Sequence, residues 1–327
     1  MSRTVQTWAG LLATAISLFA TLPATAQDQW PNKQITYVVA YPPAGMTDIV
    51  GRLVAQELGA ALNTTVIVDN KPGAAGAVGH GFVARAAPDG YTILGTAIGP
   101  MAIIPSLMEN LPYDPVKSFE PVSLVATIPH VLVVNPDSPY QTVDDVIKAA
   151  KAKPGGLSYA AAGNGGVVHM QSELFKMQAG IDILQVPYKG DTPALQDVLA
   201  GNVTMMFAPL GAALSHIKAG KLRALAVTSP KRLATLPDVP TMAEAGVANF
   251  EVEQWQAVYV PANTPKPVIQ RLNAEIVRAL KKPDVVAKLE VLGVTAVGST
   301  PGELADVQKA DTAKWAKVIQ TAGIKIE

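Results

Sequence analysis

Five short stretches carry residue types suited to holding a ligand: YPPAG (41–45), NKPGAAGAVGHG (70–81), GTAIGP (95–100), AAGNGGVVH (161–169) and PYKGDTP (187–193). Each follows an apolar run that reads as a strand, and most precede a helix. Free N–H groups at a helix start, with the helix dipole, favour an anion. Glycine lets backbone approach a ligand, and Pro42 and Pro43 stiffen the first turn. Any one of these turns would serve equally as a plain connection. Five in one chain argue for a ligand site. Asp48 fits dipole compensation at the start of the first helix, and it also fits holding a ligand donor or orienting the PPAG turn. His169 either anchors its loop or touches the ligand. Lys189 reads as a solvated loop lysine or a carboxylate partner, and Tyr41, Tyr188 and Trp255 as core or cleft aromatics.

Other chemistries find little support. There is no Cys to act as a thiolate, and His80, His130, His169 and His216 lack metal-ligand spacing. The dinucleotide pattern G-x-G-x-x-G fails at 70–81, and at 163–168 Val168 stands at its third small position. GLSYA around Ser158 is a poor nucleophile elbow, with Ala160 at the second glycine and a strand around it. Neither a catalytic residue, a metal nor a cofactor is expected.

The turns require elements to aim them. Strand-like runs at 35–40, 65–68, 91–94, 131–135, 158–161, 184–186, 203–207, 225–228 and 255–260 alternate with helix-like runs at 46–62, 75–85, 142–153, 167–178, 193–200 and 212–219. Thr142 and Asp145 have capping-box spacing. The alternation predicts an α/β fold of parallel sheets covered on both faces. In such sheets ligands gather at the carboxyl ends of strands. Pro-rich zones at 121–139 and 230–267 interrupt the rhythm and bracket an inserted domain. The chain then crosses between two domains twice, which makes a hinge and a cleft. The expected division is 27–127 plus 252–327 against 128–251.

The 327 residues carry 26 basic and 26 acidic side chains, which gives no electrostatic reason to expect nucleic acid. Residues 1–26 read as a cleavable signal peptide: Arg3, an apolar run from Trp8 to Leu22, then Ala24-Thr25-Ala26. Export without cysteine points to a protein stabilised by its core, free in the periplasm.

YPPAGMTDIVGRLVAQEL, VDNKPGAAGAVG, PDGYTIL, AGNGGVVH, VPYKGDTPALQDVLAGNVTMMF and HIKAGKLRALAVTSPKR resemble, in order, the motifs of the Bug family. These are extracytoplasmic solute receptors associated with tripartite tricarboxylate transporters. The resemblance implies a two-domain periplasmic-binding-protein clamshell, type II-like, with two crossover strands. It implies a monomer that captures a small carboxylate and hands it to membrane subunits of the transporter. A secreted hydrolase using the same cleft, or a sensor presenting its closed form, would share the sequence features. On matching positions the contacts would come from Tyr41, Pro43, Ala44, Gly45, Met46 and Thr47, from Gly73, Ala74, Ala75 and Gly76, and from Thr96 and Ala97. The other domain would supply Gly163, Asn164, Gly165, Gly166, His169 and Tyr188. Asp48 joins them from the residue reading above. The chain departs from the family pattern at three positions: Ala44 replaces a glycine of PPGG, Gly166 a frequent hydroxyl residue, and Ala208 a frequent Asp. The losses at Gly166 and Ala208 disfavour a ligand that carries an amine.

Overall fold

The computed structural model describes residues 30–325; the expected signal peptide lies outside them. Three parallel strands open the fold. They are β1 (Ile35–Val39), β2 (Val66–Asn70) and β3 (Thr92–Ala97), with helices α1 (Met46–Leu62) and α2 (Ala77–Ala84) between them. β1 is the middle strand, flanked by β2 and β3. The period of two is visible in its burial: Ile35, Tyr37 and Val39 enter one core, and Val38 enters the other. α1 shows the helical period instead, burying Val50, Val54, Leu58 and Leu62. Tyr37 needs two glycines as neighbours. A Cβ on Gly95 would lie 2.2 Å from its ring, and one on Gly51 3.0 Å.

β4 (Phe119–Val134) is the long strand of the molecule, at 16 residues. Next come α3 (Val143–Ala152), β5 (Ser158–Ala162), α4 (Val167–Ala179), β6 (Leu184–Tyr188), α5 (Asp191–Leu199), β7 (Met205–Pro209), α6 (Leu210–Lys218) and β8 (Arg223–Val227). The chain returns through β9 (Glu253–Pro261) and ends with α7 (Lys266–Ala279), α8 (Pro283–Val291), β10 (Thr295–Ala296) and α9 (Pro301–Ala322). The strand order is β2-β1-β3-β9-β4-β7-β5-β6, with β8 and β10 paired to β4. The first part of β4, Phe119 to Pro129, pairs with β9; His130 to Val134 pair with β7. One strand thus belongs to both halves of the sheet.

Two expectations are corrected here. The sheets are mixed, because β9 runs antiparallel to both β3 and β4. The chain leaves the first half along β4 and comes back along β9, so these neighbours must oppose each other. The zone 121–139 does not interrupt the fold at its start, and the strand expected at 131–135 is only the end of β4. Two of its prolines lie inside β4. Pro121 is at a register shift, and Pro129 faces Glu253 at the very start of β9. The capping box of Thr142 and Asp145 forms as expected.

Candidate functional site

The turn after β1 is latched from below by one carboxylate. Asp48 Oδ2 accepts from the Ala44 N–H at 2.9 Å and from Arg52 Nε at 2.9 Å, and its Oδ1 accepts from Asn70 Nδ2 at 2.8 Å. Asn70 Nδ2 also donates to the Tyr41 carbonyl at 3.0 Å, which ties the turn to the end of β2. Burial pushes the Asp48 carboxyl up, but the hydrogen bonds from Arg52, Asn70 and Ala44 outweigh it and hold it below its ordinary range. Asp48 orients the PPAG turn, and its oxygens are taken.

A buried histidine ties the next two turns together. His80 Nδ1 lies 2.8 Å from the Gly76 carbonyl, and Nε2 lies 2.7 Å from Thr96 Oγ1. A carbonyl only accepts, so Nδ1 carries the proton and Nε2 is the acceptor. Burial pushes the imidazole down to about 4, so it is neutral at neutral pH. Turn 73–76, with Gly73 and Gly76 at positive φ, is thereby fixed to Thr96 at the end of β3. Tyr41 reaches the same corner: a Cβ on Gly99 would lie 3.6 Å from its hydroxyl.

Backbone strain concentrates in these turns. Among the described residues, six non-glycine residues have positive φ; three are asparagines and the others are Ala44, Ala74 and Ala75. Left-handed backbone costs an alanine about 1–2 kcal/mol, and such strain gathers at functional sites. All three alanines lie in turns expected to touch the ligand. Ala44, where the family pattern has glycine, adopts φ 67°.

The second half of the sheet presents a matching group. The Gly163 N–H donates to the Tyr188 carbonyl at 3.0 Å, Gln185 Nε2 donates to Asn164 Oδ1 at 3.0 Å, and the Gly165 N–H donates to His169 Nδ1 at 3.0 Å. His169 anchors its loop, and burial pushes its imidazole down against the opposing charge of Glu173. Tyr188 donates its hydroxyl proton to Asp197. Gly163 and Gly165 take positive φ, and Gly166 is the N-cap of α4. A Cβ on Gly166 would lie 2.9 Å from the Ala162 carbonyl oxygen, so the turn is closed to side chains as it stands.

Each group gathers at the carboxyl ends of parallel strands, on one side or the other of the shared pair β4 and β9. Among the described residues no hydrogen bond or ion pair joins one group to the other. Pro43, Ala44, Gly45, Gly73, Ala74, Ala75 and Asn164 are exposed, while Met46, Gly163, Gly166 and Tyr188 are half-buried. Thr47, Thr96, Ala97 and His169 are buried. Ala208 stands apart. It is fully buried in the larger apolar core, opposite Val131.

The chain matches, over residues 50–324, the family described as Tripartite tricarboxylate transporter family receptor. It belongs to that family. Protein BugT of Bordetella pertussis is 37% identical over 301 residues, covering 92% of each chain. The solved structure of Rpa4515 with adipate, from R. palustris, is 35% identical with a TM-score of 0.78, over 90% of this chain and 99% of that one. The periplasmic binding protein BugD is 35% identical at a TM-score of 0.74, over 91% and 100% of the two chains. MatC from Rhodopseudomonas palustris, with bound malate, is 31% identical at 0.73, over 88% and 99%. This receptor therefore has the two-domain α/β fold of periplasmic solute-binding proteins. Two residues that brace the candidate turns escaped the sequence reading. Asn70 and His80 act across 22 and 16 positions, a separation that no local pattern reveals.

Proposed function

We propose that this receptor binds a small carboxylate between the two halves of its sheet and delivers it to the membrane subunits of a tripartite tricarboxylate transporter. Adipate and malate in two solved relatives motivate the ligand class. The observation that carries the reading in this chain is the pair of helix starts. α1 and α4 are N-capped by Gly45 and Gly166, and neither has a side chain capping it. Their first N–H groups are free for a ligand carboxylate, one from each half. Residues 27–127 with 252–327 form one domain and 128–251 the other, and β4 and β9 are the hinge. The chain works as a monomer in the periplasm after cleavage behind Ala26, and it releases its ligand chemically unchanged. Native mass spectrometry of exported protein, followed by calorimetry with succinate, adipate, malate and citrate, tests this. A chain that starts at Gln27 and binds one equivalent of a carboxylate is expected. Saturable binding of none of the four, by protein that is folded, would overturn the ligand class; turnover of a bound acid would overturn the receptor role.

A further inference from the structure

The two halves of the sheet repeat one unit. β1 lies between β2 and β3, and β5 lies between β6 and β7, with all four pairings parallel. The turns that follow β1 and β5 match residue by residue. Ala44 and Gly165 have φ of 67° and 73°. Gly45 and Gly166 come next as N-caps, with φ and ψ of −74° and 163° in the first and −75° and 167° in the second. The Gly45 carbonyl accepts from the Ile49 N–H and the Gly166 carbonyl from the Met170 N–H, each at 2.9 Å. The third residue of each helix then reaches back to the residue before the cap. Asp48 Oδ2 accepts from the Ala44 N–H at 2.9 Å, and His169 Nδ1 accepts from the Gly165 N–H at 3.0 Å. His169 is the counterpart of Asp48.

The counterparts differ in how they meet a proton. Asp48 is held below its ordinary range, so it stays an acceptor into acidic solution. A neutral imidazole has one accepting nitrogen. Since Nδ1 of His169 accepts, its Nε2 carries the hydrogen, and a second proton must go to Nδ1. It would point at the Gly165 N–H, so the protonated ring cannot hold the turn. The charges that act on the ring are Glu173 and Lys176 of its own helix, with opposite signs. Glu173 is engaged by the Tyr159 hydroxyl at 2.6 Å and by Lys176 at 3.0 Å. The Tyr159 ring, from β5, stacks on the imidazole with centroids 6.4 Å apart. β7, also packed against α4, carries no titratable side chain, and α9 brings Asp311 and Lys314, which pair with each other at 2.8 Å. In the turn beyond β6, Asp191 opens α5 with its carboxyl pushed up by burial.

We propose that His169 is a positioning residue that links ligand affinity to protons: its neutral imidazole sets the turn before α4 for the bound acid, and its protonation releases that turn. Asp48 keeps the turn before α1 set throughout. The inference rests on the carboxylate reading and deepens it. Calorimetry with succinate, adipate, malate and citrate between about pH 7.5 and about pH 5 tests it on the wild type and on His169→Asn. Asparagine does not titrate, and its side-chain oxygen can take the Gly165 N–H as Asp48 takes that of Ala44. Protonation of the acids themselves is common to both proteins and cancels in the ratio of their affinities. Apparent affinity scales with the fraction of protein in the competent form, so the wild type is expected to weaken at least roughly fivefold more than His169→Asn over this range. Asp191→Asn should keep the wild-type slope. Should His169→Asn fail to fold, NMR titration of the His169 ring in the free and the saturated wild type decides, with saturation expected to lower its pKa. Equal slopes in the wild type and His169→Asn, a slope lost in Asp191→Asn, or a ring pKa raised by the ligand overturns the inference and leaves carboxylate binding intact. Binding of none of the four acids at about pH 7.5 overturns both readings together.

Discussion

Asp48 is the residue whose role the structure decides. From sequence the first reading was a dipole partner, with a ligand partner or a brace for the turn beside it. Three donors on its two oxygens make it the brace, and the Arg52 guanidinium answers its charge. The ligand then has no free negative partner from this side chain, and Ala208 supplies none from the other half. An ammonium moved out of water without a counter-charge loses several kcal/mol. Aspartate and glutamate are therefore expected to bind at least roughly tenfold more weakly than succinate and glutarate, a gap of about 1.4 kcal/mol. Calorimetry with these four acids is the measurement; an amino acid that binds as tightly as its amine-free counterpart contradicts the assignment. His169 Nδ1 accepts one hydrogen bond from the loop it follows, which makes it an anchor of that loop. Sequence could pose these alternatives but not choose among them, because each choice depends on partners that folding brings in.

Among the elements, the strand–turn–helix units were the most legible part. α1 spans the expected residues 46–62, and α4 begins at the expected Val167. Apolar period and a glycine before each helix were enough. β4 was legible only at its end, because prolines inside a strand argue against a strand until their partners are known. α8 and β10 are short and were not anticipated; β10 has two residues and exists only through its pairing with β4. The glycine turns were found, but the reason for one of them was not. Relatives often carry a hydroxyl at position 166, and the sequence alone suggests that restoring it adds a donor. The Ala162 carbonyl, 2.9 Å from where the Cβ would sit, argues the reverse. Gly166→Ser is expected to shift the turn at the N-terminus of α4 and destabilise the protein by about 1–3 kcal/mol, the usual cost of overpacking. Ligand affinity should fall with it. Urea unfolding and calorimetry on this variant check both effects, and tighter binding at unchanged stability would show that the turn has room after all.

At the scale of the molecule, buried imidazoles couple stability to pH. His80 lies in the first half of the sheet and His130 on β4, and burial pushes each from 6.5 down to about 4. Both are fully buried. The unfolded chain therefore takes up these protons before the folded one does. Their contribution is complete above about pH 6.5 and is lost as pH falls towards 4, by about 3 kcal/mol for each histidine at the end of that window. Burial of His169 acts in the same direction. Urea midpoints should fall steadily between about pH 7 and pH 5, and His80→Asn should flatten part of that slope.

The last expectation concerns movement between the halves. β4 and β9 are the strands that pass from one half to the other, and the two candidate groups lie on either side of them. The larger core is continuous across that boundary. It joins Leu94 and Met101 to Phe175 and Phe207 through Trp255 and Trp315, and α9 rests against both β4 and α4. Trp255 Nε1 donates to Asp311 Oδ2 on α9 at 2.8 Å, which fixes the returning strand to the same helix. A packed interior resists shear but allows rotation about a few strand residues. Closure should therefore pivot on the side of α4 and α9 and bring the glycine turns together on the other. If each turn group offers backbone donors to one ligand, as proposed above, only the closed form engages both, and the ligand shifts the population towards it. Small-angle scattering of the free and saturated protein should give a smaller radius of gyration in the bound state. A radius that stays the same while calorimetry records full saturation would mean that β4 and β9 are a rigid spine and that one half binds the ligand alone.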